Sequence, residues 1–260
     1  DAAYRVLIVR LSPFRDVDRS LPHHFLFHEV RRALPDAYID LAFFPSADQR
    51  ALFEQSSVPF LLGTQSLRSA DAFDLVLISN AYTLELINLP YLLLRSSIPL
   101  FASTRGPEWP IMLLGGSNGL ASQAIIREDG DCVTDGIFFG EGEGLVGRLA
   151  HTLHQLHQYD KHSALEAAAR QTPGLWVAGS LHETPKAICE PSGPVLPSAY
   201  PILNTPEAHT ASLQISFGCP AFCSFCFEGY DRKPYREIGL ADLVSAAHEI
   251  KQAQGIEELS

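Results

Sequence analysis

Short apolar runs alternate with helical patterns through the first half of the chain. Apolar positions at helical spacing predict helices over residues 21–34, 84–94 and 145–157. Five strands buried on both faces are predicted by uninterrupted apolar runs at residues 5–9, 38–44, 74–79, 111–116 and 136–140. Strands that alternate with helices favour a parallel sheet covered on both faces. The pattern predicts an α/β fold, with a doubly wound parallel-sheet Rossmann-like domain over residues 1–158.

The pattern changes after residue 158. Residues 159–210 contain a helical stretch at 163–170, a candidate edge strand at 174–179 and then a proline-rich segment. Five prolines between Glu190 and Pro206 exclude a regular helix or a central strand, so this segment is expected to be an extended linker. Residues 211–260 read as a strand at 212–218, a loop and a helix at 239–255, followed by the beginning of another strand.

Composition and charge narrow the range of partners. The formal net charge is −11, which disfavours general nucleic-acid binding, and "YDRKPYRE" is the only dense basic stretch. No apolar run approaches the roughly 18 residues that a membrane span needs, and no secretory signal is evident. The five cysteines are odd in number and partly clustered, which is typical of metal or redox use in a reducing compartment. We therefore expect a cytoplasmic protein.

Three cysteines follow the strand at 212–218 directly. Cys219, Cys223 and Cys226 stand in the spacing C-x3-C-x2-C, at the carboxyl end of a strand where α/β folds build their sites. Thiolates suit iron–sulfur clusters, zinc or copper(I). Three ligands on a four-iron cluster leave one iron open to substrate. The alternatives are a zinc knuckle completed by a distant His or Cys, and a conventional cluster completed by Cys189.

This motif, with Phe225 just before its third cysteine, resembles the signature of the radical S-adenosylmethionine (radical SAM) enzymes. The resemblance implies that Cys219, Cys223 and Cys226 hold a [4Fe–4S] cluster and that S-adenosylmethionine chelates the fourth iron. It further implies that one electron cleaves the sulfonium to methionine and a 5′-deoxyadenosyl radical. Phe225 would border the adenine. The segment from 211 onwards would then begin a partial (β/α) barrel, of which about fifty residues follow Ser212, so we expect a longer enzyme.

The N-terminal domain also resembles part of this superfamily, the class with a cobalamin-binding domain. A strand ending in Gly-Gly, "IMLLGGSNG", precedes a strand ending in G-E-G-E, "GIFFGEGEG". The resemblance implies possible cobalamin binding by the loops that follow the strands. The candidate contact residues in those loops are Ser79, Asn80, Gly115, Gly116, Gly140, Glu141 and Gly142.

Two features of the sequence bear on whether the N-terminal domain binds cobalamin. The D-x-H-x-x-G motif of many cobalamin domains is absent after the first strand, although His23 and His24 are present. Members of the class without the motif include some that bind cobalamin without a His ligand and others that have lost the cofactor, so the sequence leaves both open. Glu141 and Glu143 at a helix N-terminus would repel a diphosphate, which disfavours a nucleotide site. They are alternatively simple helix caps.

The leading hypothesis is a radical SAM enzyme that attacks an unactivated C–H bond of an unidentified substrate. Methyl transfer is the expected reaction if cobalamin binds, and an electron donor such as flavodoxin or ferredoxin is the expected partner. A non-catalytic zinc or iron–sulfur electron-transfer module is the alternative. The charged residues after the cysteine loop, Asp231, Arg232, Lys233 and Arg236, either bind substrate or a reductant or form ion pairs among themselves.

Overall fold

The computed structural model describes residues 2–18, 20–119, 121–190, 210–256 and 258–259. The chain divides into two compact units, Asp1–Ile188 and Cys189–Ser260. Most of the predicted proline-rich linker lies outside the described residues, at 191–209. In the part of the chain that is described, no helix combines the length and the apolar character needed to cross a membrane.

The first unit is built on a six-stranded sheet with the order β2-β1-β3-β4-β5-β6. Its strands are β1 (Arg5–Arg10), β2 (Tyr38–Phe43), β3 (Leu75–Ser79), β4 (Ile111–Gly115), β5 (Gly136–Phe138) and β6 (Leu175–Val177). The first five strands are parallel, and β6 runs antiparallel to β5. The order 2-1-3-4-5 is one of the two common doubly wound arrangements. The predicted α/β doubly wound fold is therefore confirmed.

Helices connect these strands. They are α1 (Phe14–Val17), α2 (Pro22–Ala33), α3 (Ala47–Gln55), α4 (Asn88–Leu94), α5 (Leu145–Gln155) and α6 (Lys161–Gln171). Short 3-10 helices lie at Ala70–Ala72, Thr83–Ile87, Ala102–Thr104 and Ala121–Ile125. The predicted helix at 84–94 is thus a 3-10 segment followed by α4.

The central strands supply the hydrophobic core. Leu7, Val9, Val76, Met112 and Ile137 are all fully buried. Both faces of β1, β3 and β4 are covered, which explains why their sequences read as unbroken apolar runs rather than as alternating ones. This burial is what made the strands visible in the sequence.

One helix and one domain boundary differ from the sequence expectation. Helix α3 was not predicted, because none of its residues is buried and its apolar pattern is weak. Its start carries a capping box, in which Ser46 and Gln49 bond reciprocally, and that signal was present in the sequence. Strand β6 confirms the candidate edge strand at 174–179. Since β6 joins the same sheet, the first unit extends past the predicted domain boundary at residue 158.

The second unit begins with short strands around the cysteine loop. It contains β7 (Thr210–Ala211), β8 (Ser216–Phe217), α7 (Phe227–Asp231), β9 (Arg236–Glu237), α8 (Leu240–Gln254) and β10 (Glu258–Leu259). Strands β7 and β10 are parallel and are joined through α8, as in a βαβ unit, whereas β8 pairs antiparallel with β9. The predicted strand at 212–218 was too long: β7 and β8 pair with different strands, and residues 212–215 lie outside both ladders.

Candidate functional site

The strand order of the first sheet reverses between β1 and β3, and crevices for ligands form at such a switch point. Arg10 at the end of β1 lies opposite Ser79 at the end of β3, and Ser79 lies opposite Gly115 at the end of β4. The N–H of Asn80 donates to the carbonyl of Gly115 at 2.8 Å. The fold therefore brings the candidate residues Ser79, Asn80 and Gly115 together.

Asn80 is fully buried and only partly satisfied. Its Nδ2 donates to Oγ of Ser122 at 3.4 Å, and Oγ of Ser122 donates to the carbonyl of Asn118 at 3.1 Å. Among the residues that the structure describes, none offers a hydrogen bond to Oδ1 of Asn80. A buried amide oxygen without a donor is uncommon and costs free energy. Ser122 and Asn118 were not identified from the sequence, because polar residues in loops carry no periodic signal.

Gly116 is explained by a close approach of two loops. Its φ is +122°, and an added Cβ would lie 2.3 Å from the carbonyl oxygen of Asn80. Only glycine fits this combination of backbone conformation and proximity. Gly116 thus lies against Asn80, next to the other candidate residues of this edge.

A buried ion pair lies at the same edge and was missed by the sequence analysis. Arg10 is 0% exposed, and its Nη2 lies 3.6 Å from Oε1 of Glu85, while its Nη1 donates to Oγ of Ser20 at 2.9 Å. Oε2 of Glu85 accepts from the N–H groups of Ala81 and Tyr82 at 2.9 and 3.0 Å. The sequence signal for this ion pair was an arginine at the end of an apolar strand, since an arginine buried there is normally paired with an opposite charge.

His23 and His24 lie in the first turn of α2, next to this ion pair. Their ring centroids lie 4.2 Å apart with the ring planes tilted by 34°, and the rings of His23 and Phe43 meet edge-on at 5.5 Å. His23 is 0% exposed, and neither of its ring nitrogens has a hydrogen-bond partner in the described part of the chain. Burial, followed by the charges of His24 and Arg10, lowers the pKa of His23 to about 3. His23 is therefore neutral at physiological pH.

The G-E-G-E segment packs against another part of its own unit. Gly140 has φ +110°, and an added Cβ would lie 2.2 Å from the carbonyl oxygen of Ala187. The N–H of Glu141 donates to that same carbonyl at 3.0 Å. An added Cβ on Gly142 would lie 2.8 Å from Cγ2 of Val146. Internal packing alone accounts for both glycines.

The N-terminus of α5 is capped by a carboxylate from α2. Oε2 of Glu29 accepts from the N–H of Gly144 at 2.9 Å, and the N–H of Gly147 also bonds to this carboxylate. Glu29 is 5% exposed, and its burial raises its pKa. The expectation that Glu141 and Glu143 are the caps did not anticipate Glu29. The helix end that a phosphate would occupy is already bonded to an anion.

The three cysteines of the motif lie in the loop between β8 and α7. Cys219 and Cys226 are half-buried, and Cys223 is exposed. The N–H of Cys219 donates to the carbonyl of Arg232 at 2.8 Å, and the N–H of Cys226 donates to the carbonyl of Cys223 at 3.0 Å. Phe225 is 90% exposed. One loop thus carries all three candidate ligands and the candidate adenine neighbour.

The donor chemistry of this loop fits an iron–sulfur cluster. No disulfide joins any of the five cysteines, all of which lie in the described residues. Within those residues, no group of three or more His, Cys, Asp or Glu side chains is arranged to hold a metal ion. The three thiols are therefore available as soft ligands but do not yet converge on one point. Cys132 lies in the other unit, buried beside Thr134 with its Sγ 3.6 Å from Oγ1.

One solved structure with a similar fold is that of the radical S-adenosylmethionine methyltransferase TsrM from Kitasatospora setae, with tryptophan substrate and a SAM analog (aza-SAM) bound. The TM-score is 0.55 at 14% sequence identity, over 99% of this chain and 47% of that one. The present chain thus spans about half the length of that protein, and the likeness concerns the fold alone. A comparison with curated proteins found no match.

A sequence family gives the assignment. The family described as "Radical SAM proteins, N-terminal" matches residues 23–178, which is more than half of the chain. The match covers nearly all of α2 and the sheet from β2 to β6, including the loops that follow β3, β4 and β5. The cysteine motif lies outside the matched range. This chain belongs to the radical SAM proteins.

Proposed function

We propose that this protein is a radical SAM enzyme in which Cys219, Cys223 and Cys226 are the ligands of a [4Fe–4S] cluster. The observation that carries the proposal is the cysteine loop itself: three thiols without a disulfide in one nine-residue loop, at the carboxyl end of β8. Cys219, Cys223 and Cys226 would hold the cluster through their thiolates, and this loop would bring S-adenosylmethionine next to it. A cluster held there would supply the one electron that reductive cleavage of S-adenosylmethionine to methionine and a 5′-deoxyadenosyl radical requires.

The remaining residues of the loop bind and orient rather than react. The exposed ring of Phe225 offers an apolar surface next to Cys226, and we assign it to the adenine of S-adenosylmethionine. Thiols that form no disulfide persist in a reducing compartment, which supports a cytoplasmic location. A small electron carrier such as flavodoxin or ferredoxin is the proposed reductant.

Cobalamin-dependent methyl transfer is the finer proposal. The switch-point edge supports it, because Ser79, Asn80, Gly115 and Gly116 meet there and Oδ1 of Asn80 lacks a donor. Cobalamin carries amide groups that donate hydrogen bonds. The fold likeness to a radical SAM methyltransferase points in the same direction. Gly140, Glu141 and Gly142, at the end of β5, stay in the proposed contact set, although Gly140 already packs against Ala187.

Anaerobic reconstitution of the whole protein with iron and sulfide tests the cluster. We expect a brown protein whose reduced cluster gives an electron paramagnetic resonance signal that changes when S-adenosylmethionine is added. Replacing Cys219, Cys223 and Cys226 by Ala together abolishes the signal, whereas Cys132→Ala leaves it intact, since Cys132 lies in the other unit. A colourless protein that takes up only zinc, or a cluster signal insensitive to S-adenosylmethionine, contradicts the proposal.

Cobalamin is tested separately. The protein is incubated with hydroxocobalamin, desalted and examined for bound cobalamin absorbance. We expect stoichiometric retention in the wild type and weakened retention in Asn80→Ala, which removes the amide without adding volume. Loss of all cobalamin on desalting of the wild type refutes the methyl-transfer proposal and leaves the cluster proposal untouched.

A further inference from the structure

One lysine binds the first half of the cysteine loop at several points. Nζ of Lys233 donates to the carbonyl of Cys219 and, at 2.9 Å, to the carbonyl of Ala221. The same ammonium lies 3.7 Å from the ring centroid of Phe222. Three of the four residues from Cys219 to Phe222 therefore contact a single charged group that follows them by more than ten positions in the sequence.

Lysine suits this position because an ammonium has three donors and no acceptor. Two donors bind carbonyl oxygens, and the charge faces an aromatic ring, which is a favourable cation–π arrangement. Hydrogen bonds from a charged donor are stronger than those between neutral groups. The half-buried Lys233 thus fixes the backbone of the loop between the first and second cysteines.

Neighbouring contacts hold Lys233 in place and close the loop from the other side. The N–H of Cys219 donates to the carbonyl of Arg232 at 2.8 Å, so the residue before Lys233 is tied to the first cysteine as well. Nε of Arg232 forms an ion pair with Oε2 of Glu228 at 3.0 Å. Arg232 therefore has a carboxylate partner, whereas the described bonds of Lys233 go to loop carbonyls.

We propose that Lys233 is a positioning residue for the iron–sulfur cluster, an inference that rests on the proposed function. Its ammonium orders the segment that carries Cys219 and leads to Cys223, which lowers the entropy lost when three separate thiols bind one cluster. It also places a positive charge within the ligand loop. A positive charge favours the reduced cluster, which carries one more negative charge, and so raises its reduction potential.

The test uses the whole protein, reconstituted anaerobically, with three variants. Lys233→Met removes both donors and the charge while keeping most of the side-chain volume. Lys233→Arg keeps the charge and the donors. Lys251→Met, at the exposed last turn of α8 in the same unit, removes an equal charge elsewhere and is the matched control. Two quantities are measured: the rate at which a chelator removes iron, and the reduction potential of the cluster in the loaded fraction.

We expect Lys233→Met to lose iron at least about tenfold faster than the wild type, because two charge-assisted hydrogen bonds are lost. Its potential shifts to a more negative value. In Lys233→Arg the rate of iron loss and the reduction potential stay close to those of the wild type, and Lys251→Met changes neither. If Lys233→Met fails to fold, Lys233→Gln replaces it, because glutamine retains a donor without the charge. The reduction potential of Lys233→Gln then tests whether the charge of Lys233 raises the potential of the cluster.

The outcomes separate this inference from the proposed function. A wild type that loads no cluster refutes both. A wild type that loads a cluster, together with a Lys233→Met variant of unchanged iron retention and unchanged potential, refutes the role of Lys233 alone. The role of Lys233 is also refuted if the reduction potential falls as far in Lys251→Met as in Lys233→Met, because the shift would then reflect net charge alone.

Discussion

At the scale of single residues, the most unusual group is the imidazole of His23. It is fully buried and lies beside the cationic Arg10, and no described residue forms a hydrogen bond with either of its nitrogens. Its pKa of about 3 lies well below the ordinary value of 6.5. The unfolded chain therefore binds a proton at this residue between those two pH values while the folded chain does not, so stability falls as the pH drops below about 6.5.

The variant His23→Phe tests this directly, because it keeps a ring against Phe43 and removes the titration. Between pH 6 and 4 we expect the wild type to lose up to about 1.4 kcal/mol per pH unit through His23, and the variant to lack that contribution. Urea unfolding at several pH values measures it. His24, whose pKa is also lowered by burial, leaves some residual slope. An exposed histidine, His151, changed to Phe is the control, and an equal slope in wild type and His23→Phe contradicts the argument.

At the scale of elements, the loop after β5 has a glycine that packing requires. Gly140 and Gly179 both have positive φ, +110° and +84°, but an added Cβ meets Ala187 only at Gly140 and meets nothing within 4 Å at Gly179. We expect Gly179→Ala to cost about 1 kcal/mol from backbone strain alone. Gly140→Ala is expected to cost at least about 2 kcal/mol more, since backbone must move. If Gly140→Ala and Gly179→Ala lose the same free energy of unfolding in denaturant, the contact with Ala187 is unimportant.

The cap on α5 gives a second prediction at this scale. Replacing Glu29 by Ala leaves the N–H groups at the start of α5 without their carboxylate, and we expect a loss of about 1–3 kcal/mol in the free energy of unfolding. Glu29→Gln keeps one acceptor and loses less. The exposed Glu128→Ala is the control for removing an acidic side chain.

The pH dependence of the cap follows from the raised pKa of Glu29. The folded chain holds a proton at this carboxyl more tightly than the unfolded chain does. The resulting stability is present below the ordinary glutamate pKa and is lost as the pH rises through the raised value. Glu29→Gln lacks this change, so the wild type loses stability relative to the variant as the pH rises through the raised value; parallel curves contradict the assignment.

At the scale of the whole molecule, the net charge of −11 governs contact with polyanions. We expect no measurable binding of duplex DNA or RNA at about 150 mM salt, with a dissociation constant weaker than about 10⁻⁴ M, because phosphate contacts require basic side chains. Fluorescence anisotropy with a labelled duplex measures this. A basic protein of the same fold is the positive control. Micromolar binding by the present chain contradicts the expectation and shows that the short basic stretch after the cysteine loop outweighs the overall charge.

The parts of this molecule that the sequence predicted are those with a one-dimensional signal. Buried parallel strands read as apolar runs, and the structure confirms them. The candidate cluster ligands, which lie within one loop, read as a spacing. Glu29 caps a helix more than one hundred positions away, and Lys233 binds carbonyl groups, which no side-chain pattern reveals. The exposed helix α3 has no buried face to give it a period. Contacts that depend on tertiary proximity were therefore out of reach.

The carboxylate of Glu29 at the start of α5 has a consequence for ligand selectivity. Sheets of this strand order commonly accept nucleotide phosphates at a helix end. At α5 that end is bonded to an acid of the protein itself, with Glu141 and Glu143 close by in the sequence. We therefore expect nucleoside di- and triphosphates to bind poorly at the start of α5, because like charges repel.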